Sequence, residues 1–279
     1  MTAEQKLGTI MKELISFSLP LILSGILQQL YNWADAFIVG NIDGEQSLSA
    51  IGATTTPINF FITIITGFTL GLSVLIAKHF GAKNQDNIPP ILSVFTVILG
   101  SVFLFIATIG FILSRQFMEL LDTPAEIINL ASNYIRIIFI GLPFLAVYNV
   151  YTASLRGIGN SRIPFLSILL SSVVNVILDI IFVAKLHLGV QGAAVATVFS
   201  QVVMTVFIVL YGTKKYRWLK NGYRKTSFCN AVIKEGVRFG LPPMIQSGIS
   251  SFGGLILQKF MNQFGEDTVT AITTAYRVD

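Results

Sequence analysis

Charge, cysteine and histidine are scarce in this sequence. Only 12% of its 279 residues are charged, against about 25% in a soluble domain, which excludes an ordinary soluble enzyme and a disordered chain. Cys229 stands alone, so no disulfide framework exists. The two histidines, His79 and His187, fall in connections on opposite sides of the topology derived below, so no metal site is expected from them. No Ser–His–Asp or Cys–His set assembles, and no pair of carboxylates faces a soluble cleft. Catalysis is therefore the least favoured class, and no cofactor is expected.

Apolar residues fill the gap: 53% of the chain is hydrophobic and its mean hydropathy is +0.72. A bilayer core about 30 Å thick needs about 20 apolar residues per helix. Six stretches qualify, Leu14–Gly40, Leu48–Ala77, Ile91–Leu113, Ile127–Leu155, Ile163–Ala184 and Val190–Tyr211, with a weaker seventh at Phe239–Phe264. Barrel strands are excluded, because these runs are too long and too uniformly apolar. In lipid each run must satisfy its own backbone, so each is expected to be a helix. The first run follows Lys6 and Lys12 as a signal peptide would, but it is too long and continues through Asp35, so it is read as a permanent helix. The expected fold class is an all-α, polytopic membrane helix bundle.

Lys and Arg set the orientation. Fourteen lie in the N-terminal segment and in the second, fourth and sixth connections; Arg115 and Lys185 alone lie in connections on the other side. That bias puts the N-terminus in the cytoplasm of a cell (cytoplasmic or inner) membrane. The basic segment 213–238 also resembles a nucleic-acid patch in composition, but the positive-inside bias already accounts for it, and no nucleic-acid partner is expected.

The sequence repeats itself. Leu19-Pro20 recurs as Leu241-Pro242, at an offset of 222, and Ser24-Gly25-Ile26 as Ser247-Gly248-Ile249. Ser49-Ala50-Ile51 is echoed by Thr270-Ala271-Ile272. Chance likeness of two apolar helices is one explanation. The other is a second six-helix half beginning near residue 235, parallel to the first because six is even. The expected organisation is a six-helix lobe at 1–212, a basic cytoplasmic linker at 213–238, and at 239–279 the first helix of an incomplete second lobe, so that the chain reads as a fragment of a twelve-helix protein.

Carboxylates at membrane depth are costly and mark function by default. Of the 14 acidic residues only Asp35 and Asp179 lie within the spans, each five residues short of the outer end of its run. At 1.5 Å per residue both sit roughly 8 Å inside the boundary. Thr197, on the inward-running sixth span, lies at about 10 Å. Asn175 is one turn deeper than Asp179 on the same face. Hard cations take oxygen ligands of these kinds, and two close carboxylates also favour sharing a proton. Both routes give a coupling-ion site for Na⁺ or H⁺. The alternative is that each Asp sits at the interface, hydrated or paired with Arg136 of the fourth span.

Pro20, Pro57 and Pro143 interrupt spans and favour kinks, with Pro20 the expected hinge. Gly67, Gly71, Gly100, Gly110 and Gly141 read as packing positions. Gly157-Ile158-Gly159-Asn160-Ser161 lacks a Walker lysine and reads as a turn. Gln28, Tyr31, Tyr134 and Asn149 are the expected substrate-cavity residues; Trp33, Phe37, Phe60 and Phe61 are further aromatic residues suited to an apolar wall.

The first span, from Leu19-Pro20 through Gln28-Gln29-Leu30-Tyr31-Asn32-Trp33-Ala34-Asp35, resembles the opening helix of the MATE (multidrug and toxic compound extrusion) transporters. Ser49-Ala50-Ile51-Gly52-Ala53, Ala77-Lys78-His79-Phe80-Gly81-Ala82-Lys83, Leu155-Arg156-Gly157-Ile158-Gly159-Asn160 and Gly192-Ala193-Ala194-Val195-Ala196-Thr197 continue the likeness. The resemblance implies a twelve-helix exporter of two lobes that exchanges Na⁺ or H⁺ for organic, often cationic, drugs. It places the cation site of the first lobe on Asp35, Asn175, Asp179 and Thr197. It also implies a small-molecule substrate, a lipid environment and a monomeric full-length transporter. The alternative reading is a flippase for a lipid-linked oligosaccharide. Such a cavity should be rich in basic residues, and Arg136 is the clear one deep within the first six spans.

Overall fold

The computed structural model describes residues 3–216, 230–265, 268, 269 and 271, with side chains from residue 11 onward. Eight α-helices are found among them: α1 (Ala3–Ile42), α2 (Glu45–Gly81), α3 (Ile88–Ile112), α4 (Ser114–Leu120), α5 (Ile128–Gly157), α6 (Arg162–Asp179), α7 (Gly189–Lys215) and α8 (Asn230–Asn262). A π-helical turn, Ile180–Lys185, follows α6. Six helical segments are long and apolar enough to cross a membrane, on α1, α2, α3, α5, α6 with its π turn, and α7. The chain is a multi-pass membrane protein.

The sequence-based boundaries move in four places. α1 begins at Ala3 rather than Leu14, because the basic segment before the apolar run continues the same helix. The third connection carries the short helix α4. The π turn was not anticipated. The expected linker is partly helical, since α7 reaches Lys215 and α8 starts at Asn230; residues 217–229 lie outside the described residues, as do Thr270 and Ile272 of the third repeat echo.

Local chemistry explains the helix ends. Pro89 and Pro90 occupy the first turn of α3, where a missing N–H costs nothing. Gly44, at φ 92°, separates α1 from α2 in a conformation that other residues rarely adopt. Pro20, Pro57 and Pro143 are carried inside continuous helices. Several buried hydroxyls donate back to carbonyls on their own helices, as Ser154 does to Val150 (2.9 Å) and Ser172 to Ile168 (2.9 Å), and these are satisfied without water.

α2 and α5 form the centre of the bundle, with Leu72, Leu75, Phe95, Ile135 and Tyr151 fully buried around them. α1 packs along α6 and leaves Leu14, Ile22, Ile26, Leu30 and Phe37 exposed. That is an apolar surface suited to lipid rather than water.

α8 lies along α2 at close range. A Cβ at Gly67 would come within 2.9 Å of Met244 Cα and the Pro243 carbonyl, and one at Gly71 would overlap the backbone of Phe239 and Gly240. In return Gly236 and Gly240 of α8 receive the rings of Phe95 and Phe68. Small residues let the two backbones approach. Polar contacts hold both ends of α8. Near its start, Glu235 meets Lys78 Nζ at 3.2 Å and His79 Nε2 at 3.4 Å. Near its end, Asn262 Nδ2 donates to the Leu121 carbonyl (2.8 Å), and Gln263 Nε2 donates to Asp122 (3.0 Å), which also faces Lys259 at 3.4 Å.

Candidate ion-binding site

Three helices build the site. α1 carries Asp35, α6 ends on Asp179 with Asn175 one turn earlier, and α7 carries Thr197. Each helix packs against the other two. The relative height of α1 and α7 is fixed by Asp43 in the α1–α2 connection, whose Oδ2 accepts from the Val190 N–H at the start of α7 (3.0 Å) and from Ser47 (2.6 Å). Gly189 makes this approach possible: its φ is +54°, and a Cβ there would overlap the Asp43 carboxylate.

The structure buries both carboxylates within electrostatic reach of each other. Asp179 is fully buried, Asn175 is 2% exposed and Asp35 8%. Asp35 is close enough to act electrostatically on Asp179. Neither side chain is turned toward lipid, and Thr197 of the neighbouring α7 is half-buried. Both Asp179 oxygens and both polar atoms of Asn175 lack a hydrogen-bond partner among the described residues. A buried polar atom left unmade is costly, so this cluster is chemically incomplete in a way that a small cation or a proton would remedy. Its donors are carboxylate and amide oxygens, a set suited to a hard cation. Among the described residues no group of three or more His, Cys, Asp and Glu is arranged to hold a metal.

The alternative partner points elsewhere. Arg136 Nε donates to Ser114 Oγ at 3.1 Å, and its guanidinium lies over the Phe111 ring at 5.7 Å. It is therefore engaged with α3 and α4 rather than with the carboxylate pair.

Above the pair, toward the α1–α2 connection, sits an apolar cluster of Val39, Ile51, Ile138, Val183, Val190 and Ala193. Tyr134, expected in a substrate cavity, is buried in this cluster at 6% exposure. The other expected cavity residues are dispersed. Gln28 is exposed on α1, Tyr31 is half-buried within electrostatic reach of Asp35 and Tyr148, and Asn149 borders a separate cavity near the other end of the bundle. Among the further aromatic residues, Trp33 and Phe37 are exposed at 47% and 71%, whereas Phe61 packs edge-on against Phe139, with ring centroids 5.4 Å apart. Pro20 lies in unbroken helix, its carbonyl accepting from Ser24 Oγ at 2.7 Å.

Two features escaped the sequence reading. The π turn begins immediately after Asp179 and shifts the helix register there, with Leu186 N–H bonding to Ile181 at 2.9 Å; such turns concentrate at functional sites, and no residue type announces one. The second feature was visible. Ser167, Ser171, Asn175 and Asp179 recur every four residues on α6, all buried, which makes a polar row descending from the carboxylates along one face. Ser171 Oγ donates to the Ser200 carbonyl of α7 at 3.1 Å. Gln201, also on α7, buries an Oε1 that has no partner among the described residues.

Residues 20–181 match the MatE family model. The chain is 28% identical to Probable multidrug resistance protein YoeA of Bacillus subtilis (strain 168), with 97% of this chain and 60% of that protein covered. It is 26% identical to Multidrug export protein MepA of Staphylococcus haemolyticus (strain JCSC1435), over 97% and 60%. Among solved structures it superposes on an inward-facing multidrug resistance MATE family transporter of the MOP superfamily, with TM-score 0.79 and 28% identity, covering 94% of this chain and 61% of that one. It superposes on an outward-facing one with TM-score 0.78 and 29% identity, over 96% and 59%. The chain thus spans about 60% of the length of the relatives it matches.

Proposed function

Because the chain belongs to the MatE family, we propose that it provides the cation-coupling lobe of a transporter that expels organic, often cationic, drugs across the cytoplasmic membrane in exchange for Na⁺ or H⁺. The observation that carries this reading is the buried Asn175–Asp179 pair within electrostatic reach of Asp35, with both polar atoms of Asn175 and both Asp179 oxygens left unbonded by the described protein groups. The names of the relatives, multidrug resistance and multidrug export proteins, support the substrate class.

In this reading the N-terminus is cytoplasmic, and the ion binds between α1 and α6 in the outer leaflet with Thr197 completing its ligands. The ion shifts the outward/inward balance only through unequal affinity for the two states. Asp35 and Asp179 stand on different helices, so an ion or proton between them replaces mutual repulsion by attraction and changes how α1 sits on α6. Pro20 is the point where α1 yields. Gln28 and Tyr31 on the same helix meet the drug, and the working transporter is a monomer of two lobes.

The test is dye efflux from cells expressing the complete reading frame, with Na⁺ and pH varied separately. Asp35→Asn is expected to abolish ion-dependent efflux while the protein still inserts. Wild-type efflux from a correctly inserted Asp35→Asn protein overturns the proposal. Rescue of envelope synthesis instead of drug tolerance would favour the flippase reading.

A further inference from the structure

A second polar site lies at the opposite end of the bundle, and the ion-coupling reading does not use it. A cavity of about 270 Å³ opens between α2, α5 and α8. Ser73 and Thr69 border it from α2, Asn149, Thr152 and Arg156 from α5, and Ser247 from α8. Arg156 is the one charged group among its described lining residues, and no carboxylate pairs with it among them. Its Nε is buried and lacks a hydrogen-bond partner among the described residues. Thr152 is 3% exposed and Thr69 4%.

A basic residue in the last turn of a helix is ordinarily explained by the helix dipole and the positive-inside bias, both of which leave the charge in water. Here the guanidinium is half-buried beneath hydroxyls and an amide. Taking it out of water is unfavourable unless a counter-charge joins it. Thr69 turns its hydroxyl hydrogen onto the Ile65 carbonyl at 2.9 Å, whereas Ser73 and Ser247 bring two further hydroxyls to the cavity wall. A water occupies about 30 Å³, so the cavity holds a phosphate- or carboxylate-sized group with room to spare.

We propose that the Arg156 cavity is an oxyanion-binding site, taking a phosphate group at the end of the bundle that carries the α2–α3 connection. Arginine suits this task because its planar fork bonds two oxygens of one anion. Two sources supply that chemistry. One is a free phosphate compound. The other is an anionic lipid headgroup, favoured by Leu70 at the rim, which is 60% exposed, and by the position of Arg156 at a helix end where lipid phosphates lie.

The test uses the complete reading frame in detergent and follows the thermal unfolding midpoint. One arm titrates inorganic phosphate against chloride at matched ionic strength. The other titrates short-chain phosphatidylglycerol against phosphatidylcholine. A saturable rise with phosphate, with phosphatidylglycerol, or with both is expected, and which arm responds identifies the source. Arg156→Gln should weaken the apparent Kd by about tenfold or more, the loss of one charge-assisted pair, with Arg156→Lys between it and wild type. Asp35→Asn should leave the response intact, which separates this site from the cation site. No saturable response to either probe, or an undiminished one in Arg156→Gln, overturns the proposal. Should Arg156→Gln fail to fold, Ser73→Ala and Ser247→Ala take its place: weaker binding in both supports the site, and unchanged binding in both overturns it.

Discussion

Asp179→Asn isolates the buried carboxylate with almost no change of shape. Asp179 is fully buried, and neither of its oxygens is bonded by a described protein group. With both acids ionised and no cation present, its charge meets only desolvation and the charge of Asp35, so the amide variant should be at least as stable as wild type. With a cation bound the order reverses. A unit-charge pair at 4 Å in an effective dielectric of 20 is worth about 4 kcal/mol, so losing one carboxylate weakens Na⁺ binding roughly a thousandfold. At a Na⁺ concentration one hundred times its Kd, wild type gains about 2.7 kcal/mol of stability. The variant, at the same concentration, gains about 0.1 kcal/mol or less. The assay is the unfolding midpoint of the full-length protein in NaCl and in choline chloride across a pH series. Wild type should show a Na⁺-dependent midpoint or a pH-dependent one beyond what other groups contribute, depending on which ion couples, and the variant should lose that dependence. A folded Asp179→Asn protein that keeps the wild-type dependence on both would refute the argument.

The α2–α8 packing and the Glu235 contact make two further predictions. Gly71→Ala places a methyl into the Phe239–Gly240 backbone, which cannot rotate away; it should cost about 1–3 kcal/mol, whereas Gly100→Ala, whose Cβ would meet only Val147 at 3.5 Å, should be nearly neutral. Equal unfolding midpoints for the two variants would contradict the close α2–α8 approach. Burial alone would raise the Glu235 carboxyl, but hydrogen bonds from Lys78 and His79 outweigh it and hold the group below its usual 4.5. A depressed carboxyl stabilises the fold above its unfolded pKa and loses that contribution as pH falls through the lower folded value. Glu235→Gln should therefore cost about 0.2–1 kcal/mol at neutral pH, as exposed pairs do, and the difference from wild type should shrink below pH 4.5. A difference that persists undiminished at lower pH would show that Glu235 acts through packing.

The spans were legible in the residue order, because in lipid a long apolar run has one way to satisfy its backbone, and a helix follows from composition alone. That order also picked out Asp35 and Asp179: two carboxylates in otherwise uncharged runs are conspicuous, and counting residues from each span's end gives depth without coordinates. The period-four polar row on α6 was equally open to reading. Tertiary structure alone decided which way Arg136 turns, since a side chain at a suitable depth still has a full circle of directions and only the packing of α5 against α3 and α4 sends it to Ser114. Packing likewise buried Tyr134 in the apolar cluster and left Gln28 exposed. It also drew Asn149 and Arg156 into one cavity with residues of α2 and α8. Hydropathy fixes how far along the membrane normal a residue lies; which neighbours it meets around its helix is set by contacts between segments distant in the chain.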